Sequence, residues 1–174
     1  MIFEHVIFHK DNLKLDGTSI KRKAVRAVIL KDKMLFMVYL NATNEYKFPG
    51  GGVNIDETIE EALIREVKEE TGASVKRIGN RIGQITEYNR EENDHIDYFK
   101  MVSDYYEVEI EDTLQEQKLD EYEKNLGFIP KWTSINEAEQ VNNSMINRGN
   151  RIPTKGIRRE AYALQELKKF YSLL

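Results

Sequence analysis

Apolar and polar residues alternate over short distances along much of the chain, and this pattern predicts strands. Four short runs rich in Val, Ile, Leu and aromatic residues lie between turn-forming residues: 2–8, 24–30, 34–40 and 46–48. Such runs are typical of β-strands. The polar tripeptide 31–33 separates the second run from the third and therefore predicts a hairpin.

The second half of the chain repeats this pattern over longer stretches. Residues 75–88 alternate loosely and predict one bent strand, with bulges at its two glycines. Strand-favouring residues follow over 96–110 and again over 128–133. The strongly acidic stretch between them, 111–127, is predicted to be a loop.

Three segments place apolar residues at helical spacing instead. The central segment lies between Thr58, which forms a capping-box pattern with Glu61, and Gly72, which fits a C-terminal stop. A second helix is predicted after Ser134 as its N-cap, and a third over 154–174. Strands that precede, interrupt and follow helices indicate an α/β (α+β) domain whose sheet is covered on both faces.

Composition narrows the class of protein. A length of 174 residues suits one domain with a full core, so we expect 1–174 to form a single domain with 1–20 as an N-terminal strand and turn extension. The net charge of −4 gives no nucleic-acid signature, and no DNA partner is expected. The absence of cysteine excludes disulfides, thiolate metal sites and cysteine nucleophiles. We see no signal-peptide pattern and no run near the ~20 apolar residues of a membrane span, so we expect a cytoplasmic protein without membrane contact.

The segment GGVNIDETIEEALIREVKEETGA, residues 51–73, carries seven acidic residues together with a helical apolar pattern. At ~100° per residue, its apolar face is formed by Ile59, Ala62, Leu63 and Val67. Glu66 and Glu70 fall in the middle of this face, while Glu69 and Arg65 lie on one shoulder. Glu60 and Glu61 point elsewhere, towards solvent.

Carboxylates within an apolar face need a partner, because an ionised group removed from water must be paired or must bind a cation. One arginine cannot neutralise three glutamates, whereas Mg²⁺ or Mn²⁺ can, since both prefer oxygen ligands. The alternative is a helix whose last turn overhangs the core edge, so that Glu66 and Glu70 reach water. Periodicity alone leaves both interpretations open.

A glycine-rich turn, Pro49-Gly50-Gly51-Gly52, precedes this helix and would let the backbone approach a ligand closely. No Gly-Lys-Ser/Thr follows, so it is not a Walker loop. Ile55 stands where a dinucleotide fingerprint needs its third glycine.

The spacing of these residues resembles the Nudix box. The matching positions are Gly51, Glu57, Arg65, Glu66, Val67, Glu69, Glu70, Gly72 and Ala73. Only Ala73 departs from the pattern, because it is smaller than the usual aliphatic residue. The preceding residues 46–51 are similar to the strand and turn that lead into the box.

The resemblance implies an α/β/α sandwich with a mixed β-sheet and with the box as loop–helix–loop. It also implies a hydrolase that uses Mg²⁺ or Mn²⁺ to cleave a nucleoside diphosphate linked to another moiety. Glu66, Glu70 and the Gly50 carbonyl would be metal ligands, and Glu69 would be a further ligand or would orient water.

Other roles follow from the same resemblance. Arg65 would orient the glutamates together with Glu57, although a purely structural pair is the alternative. Gly51 and Gly52 would bring the backbone close to the pyrophosphate. In some relatives the general base lies in a loop before the last strand, which makes Glu123 the first choice here, with an ordinary solvated loop as the alternative.

Substrate identity depends on residues outside the box. A MutT-like clean-up of modified nucleoside triphosphates is the starting hypothesis. The absence of proline between Pro49 and Pro130 argues against ADP-ribose, and Tyr88 is a slight hint of dinucleoside polyphosphates. A regulatory domain without catalysis and a hydrolase of RNA 5′ ends are further alternatives. The second would use the basic run Arg148, Arg151, Lys155, Arg158 and Arg159. The N-terminal residues leave two arrangements open, pairing with their own sheet or with a second copy in a homodimer.

Overall fold

The computed structural model describes residues 1–90, 95–148 and 154–172. The elements in chain order are β1 (Phe3–Phe8), β2 (Ser19–Val28), β3 (Leu30–Lys31), β4 (Met34–Leu40), β5 (Glu45–Lys47), α1 (Ile59–Thr71), β6 (Ala73–Asn89), β7 (Tyr98–Leu114), α2 (Glu121–Leu126), β8 (Phe128–Ser134), α3 (Ile135–Asn147) and α4 (Ile157–Tyr171).

The strands form two sheets. The first has the order β1-β6-β7-β2, with β6 and β7 antiparallel and with β1 and β2 each parallel to its neighbour. This confirms a mixed sheet, and it shows that the N-terminal strand pairs with its own chain. In the second sheet, β4 pairs antiparallel with β3, β5 and β8.

The two larger of three buried clusters pack different helices against the strands and confirm the layered α/β/α arrangement. On one side α1 packs through Ala62, Leu63 and Val67 against β2 and β7. On the other, α3 and α4 pack against β1, β4, β5 and the middle of β6 and β7. Burial on both sides explains why the run 24–28 is buried at every position, with Arg26 as its one polar residue, instead of alternating between buried and exposed.

Three sequence predictions need correction. The hairpin is formed by the two-residue β3, since β2 pairs with β7 in the other sheet. The stretch 111–127 is not simply a loop, because β7 runs to Leu114 and α2 forms between the Asp120 cap and Gly127. The last helix begins at Ile157 and not at 154.

The predicted bulges at the two glycines of β6 agree with the structure. The bend in β6 coincides with register shifts around its two glycines. Residues 91–94, 149–153 and 173–174 are outside the described residues, and these include Arg151 and the end of the predicted last helix. Within the described ranges, no helix is both long enough and apolar enough to cross a membrane.

Candidate functional site

Helix α1 is fixed at both ends by the residues that predicted it. The Thr58 hydroxyl accepts from the Glu61 amide at 3.2 Å, and the Glu61 carboxylate accepts from the Thr58 amide at 2.9 Å. Gly72 ends the helix with φ of 74°. The two central carboxylates lie on the buried face, since Glu66 is 8% exposed and Glu70 only 2%. The overhanging helix of the alternative interpretation is therefore wrong.

Glu70 lies at the join between α1 and the glycine-rich turn. The Gly50 amide donates to its Oε2 atom at 2.9 Å, and the Lys47 ammonium pairs with Oε1. Burial raises the pKa of Glu70; Lys47 and Gly50 oppose this rise, and the neighbouring Glu66 adds to it. A further cation beside Glu70 would stabilise its ionised form.

Arg65 connects the loop before the helix to the carboxylates. It binds Glu57 in bidentate fashion, through Nε at 2.6 Å and Nη2 at 2.8 Å, which holds the pKa of Glu57 at about 2. Its Nη1 atom donates to Glu66 at 2.7 Å and to Glu69 at 3.2 Å. Nη2 also donates to the Gly52 carbonyl at 3.0 Å. The predicted pairing of Arg65 with Glu57 is thus present.

Three carboxylates converge on one point. Oxygen atoms of Glu66, Glu70 and Glu123 lie within 4.8 Å of one another. Glu123 reaches this group from the first turn of α2, where its Oε2 atom accepts from the Asp120 amide at 2.9 Å. Burial raises the pKa of Glu123. Glu69 lies outside this group, with its side chain 40% exposed beside Arg65.

The glycine-rich turn is shaped by close contacts. A side chain at Gly51 would meet the Glu66 carboxylate at 2.5–2.6 Å. At Gly50, φ is 140° and a side chain would meet the backbone of β2, so glycine is required on both grounds. The Gly50 carbonyl accepts from Arg26 and, at 3.2 Å, from Lys47.

These groups fit a hard divalent cation. Glu66, Glu70 and Glu123 offer only oxygen donors, which are the ligands that Mg²⁺ and Mn²⁺ prefer. The Gly50 carbonyl is a further oxygen near Glu70, but in this structure it accepts hydrogen bonds from Arg26 and Lys47. Because Glu70 is only 2% exposed, water cannot solvate its charge, and Lys47 is the cation that pairs with it among the described residues.

A cavity of about 890 Å³ adjoins the carboxylates through Lys47, which lines the cavity and pairs with Glu70. Its cationic lining residues are Arg22, Arg26, Lys47, Arg90, Lys155 and Arg159. Its aromatic lining residues are Phe99, Tyr122 and Phe128. Glu87 and Glu160 also line the cavity and neutralise Arg159. The other cations are suited to phosphates, and the rings are suited to a base.

The family model of the NUDIX domain matches residues 20–153 of this chain. The chain belongs to the Nudix family. The E. coli ORF135 protein, by its solution structure, has a similar fold with a TM-score of 0.58 at 19% identity, covering 91% of this chain and 94% of that one. At that identity the likeness concerns the fold alone.

Two named proteins match over shorter segments. The ADP-ribose pyrophosphatase of Methanocaldococcus jannaschii is 34% identical over 77 residues, 42% of this chain and 44% of that protein. The putative 8-oxo-dGTP diphosphatase YtkD of Bacillus subtilis is 64% identical over 33 residues, 19% of this chain and 21% of that one. The matched segments span less than half of either relative.

Two residues of this Nudix site were missed by the sequence analysis. Lys47 contacts Glu70 and the Gly50 carbonyl, and Arg26 contacts the same carbonyl. Arg26 is the one charged residue in the stretch 24–28, and this interruption was the signal that could have identified it, whereas the three-residue β5 (Glu45–Lys47) carries no such signal for Lys47.

The basic run near the C-terminus divides in the structure. Arg158 is exposed to solvent in the first turn of α4. Lys155 and Arg159 line the cavity. Arg159 is 5% exposed and is held by Glu87 at 2.5 Å and by Glu160 at 2.8 Å.

Proposed function

We propose that this protein is a Nudix hydrolase that cleaves a pyrophosphate bond in a nucleoside triphosphate, with Mg²⁺ or Mn²⁺ as cofactor. The observation that carries the proposal is the convergence of Glu66, Glu70 and Glu123 within 4.8 Å, beside a cation-lined cavity of about 890 Å³. Phosphoryl transfer depends mainly on positioning and on charge stabilisation, and this arrangement provides groups for both.

The metal would be held by Glu66, Glu70 and the Gly50 carbonyl. A divalent cation in this position neutralises phosphate charge and lowers the pKa of water. Arg65 holds Glu66 in place through the 2.7 Å hydrogen bond of its Nη1 atom. Gly51 and Gly52 leave room for the pyrophosphate to approach the backbone.

The general base is assigned to Glu123. Its Oε2 atom accepts the capping hydrogen bond from Asp120, so Oε1 is the atom that would take a proton from the attacking water. Its raised pKa suits a base that must also release that proton. Glu69 is the competing candidate, as a further ligand or as the group that orients water.

For the substrate, a modified nucleoside triphosphate remains the first choice. The 33-residue match to a protein named a putative 8-oxo-dGTP diphosphatase supports it. The match to an ADP-ribose pyrophosphatase favours ADP-ribose as a second candidate, even though no proline lies between Pro49 and Pro130. The intact set of box glutamates argues against a regulatory domain without catalysis.

The test is a panel of oxidised and ordinary nucleoside triphosphates, ADP-ribose and dinucleoside polyphosphates, each with Mg²⁺ or Mn²⁺. Release of phosphate, pyrophosphate and mononucleotide is measured for each compound. We expect turnover of a triphosphate, and we expect Glu70→Gln to lower kcat/KM by about 100-fold or more, because even groups around metal ligands contribute 10–100-fold.

Glu60→Gln is the matched control, since Glu60 lies on the exposed face of the same helix. It should retain full activity. Glu69→Gln and Glu123→Gln, compared over pH, assign the base, because loss of the base removes one limb of the pH–rate profile. The proposal is wrong if wild-type protein hydrolyses nothing on the panel or if Glu70→Gln stays fully active.

A further inference from the structure

Arg26 is a buried cation in an otherwise apolar stretch of β2. It is 6% exposed, and all of its neighbours from Ala24 to Val28 are buried as well. Within the described ranges its guanidinium makes no ion pair with a carboxylate, and its Nε atom has no hydrogen-bond partner. Its one hydrogen bond goes from Nη1 to the Gly50 carbonyl.

Arg159 shows what a buried structural arginine looks like in the same protein. It has similar exposure, 5%, but two carboxylates neutralise it, Glu87 at 2.5 Å and Glu160 at 2.8 Å. A buried charge is costly unless it is paired. Arg26 therefore has the burial of a structural residue without the partner that makes such burial favourable.

The surroundings of Arg26 indicate the missing partner. Arg26 and Lys47 both donate to the Gly50 carbonyl, so two cations converge on one neutral oxygen. Both residues line the 890 Å³ cavity, and Lys47 also contacts Glu70. An anion in the cavity beside Arg26 and Lys47 would pair with both cations.

We propose that Arg26 binds a phosphate group of the substrate and positions it against the carboxylate group formed by Glu66, Glu70 and Glu123. The planar guanidinium suits a phosphate because it donates two parallel hydrogen bonds. The inference rests on the proposed function for the identity of the substrate, but the anion site itself rests on Arg26 and Lys47. Arg26 lies outside the Nudix box, on β2.

The experiment measures binding of inorganic pyrophosphate by calorimetry in EDTA, together with thermal unfolding of the same samples. We expect Arg26→Met to weaken pyrophosphate binding by about 10- to 100-fold, the value of hydrogen bonds to a charged group. The Tm of Arg26→Met without pyrophosphate should equal or exceed that of wild type, because the variant keeps the packed stem and removes an unpaired charge.

Two further variants complete the set. Arg26→Lys keeps the charge but loses the planar donors, so it should bind pyrophosphate more weakly than wild type while folding normally. Arg77→Met is the matched control, because Arg77 is exposed and paired with Glu109. It should bind as wild type does. A structural arginine would give a lower Tm in Arg26→Met with unchanged pyrophosphate affinity, and that result overturns the inference, as does absence of pyrophosphate binding by wild type.

The two proposals can fail separately. If wild type binds pyrophosphate through Arg26 but hydrolyses no nucleotide, the anion site stands and the hydrolase proposal falls. If nucleotides are hydrolysed and Arg26→Met keeps wild-type kcat/KM and pyrophosphate affinity, only the assignment of Arg26 falls.

Discussion

At the scale of single residues, the site depends on a glycine without a side chain as well as on charged groups. Gly51 has no side chain, and the space is taken by the Glu66 carboxylate, which would lie 2.5–2.6 Å from an added Cβ atom. Arg65 holds that carboxylate from the other side at 2.7 Å. Glu66 therefore cannot move aside without losing the hydrogen bond that orients it.

We predict that Gly51→Ala lowers kcat/KM by at least about tenfold and destabilises the protein by about 1–3 kcal/mol, the usual range for overpacking. Steady-state kinetics and denaturant unfolding measure the two effects. Gly52→Ala is the comparison, because the nearest atom to its Cβ would be Arg22 Nη2 at 3.8 Å. Gly52→Ala should keep wild-type stability and metal binding, and equal destabilisation by both changes would contradict the steric explanation.

At the scale of elements, α1 could be predicted from sequence and α2 was missed. The capping pair, the apolar face and the stop of α1 all lie within one continuous segment. α2 has the same kind of capping box, formed by Asp120 and Glu123, and ends at Gly127 in the left-handed region. It has no buried residue, so the apolar periodicity that revealed α1 is absent.

Contacts between distant segments could not be predicted from local patterns, and only the Nudix resemblance suggested that Glu123 acts beside the box glutamates. Nothing local in the stretch 24–30 marks where the chain leaves the first sheet to form the hairpin of the second. The approach of Lys47 to Glu70, or of Glu123 to Glu66, joins parts of the chain that only the folded topology brings together. The Nudix resemblance identified the box residues because those are fixed by spacing, whereas Arg26 and Lys47 lie outside that spacing.

We predict that Asp120→Ala, which removes the cap of α2, lowers kcat through misplacement of Glu123. Loss of a helix cap costs about 1 kcal/mol, which lowers the Tm of a protein of this size by about 2–4 °C. Thermal unfolding and steady-state kinetics at saturating metal measure both.

Two variants separate position from stability. Asp120→Asn keeps a capping oxygen and should behave as wild type. In α3 the Ser134 hydroxyl accepts a capping hydrogen bond from the Glu137 amide at 3.1 Å. Ser134→Ala removes this cap and should lower the stability by a similar amount without loss of kcat. Unchanged kcat in Asp120→Ala would refute the role of α2 in placing Glu123.

At the scale of the whole molecule, a buried carboxylate group joins the layers of the fold. Glu66 and Glu70 come from α1, Glu123 comes from α2, and the glycine turn pairs with β2 through the Val25 amide and the Gly51 carbonyl at 2.9 Å. Burial and mutual repulsion raise the pKa of Glu70. The stability contributed by its neutral form is present below its ordinary pKa and is lost as pH rises through the raised value.

Metal binding should therefore stabilise the whole fold, and more strongly at higher pH. At 100 times its dissociation constant a bound ion adds about 2.7 kcal/mol, or roughly 5–10 °C in Tm for this size. We expect Mg²⁺ or Mn²⁺ to raise Tm by this order at pH 8 and by clearly less at pH 5.5, where protons compete for Glu70 and Glu123.

Without metal, Glu70→Gln should be at least as stable as wild type at pH 8. The Tm of Glu70→Gln should respond little to the ion, whereas that of Glu60→Gln should respond fully. Thermal unfolding with NaCl at matched ionic strength separates specific binding from screening, and an equal rise in Tm for wild type and Glu70→Gln would place the ion elsewhere.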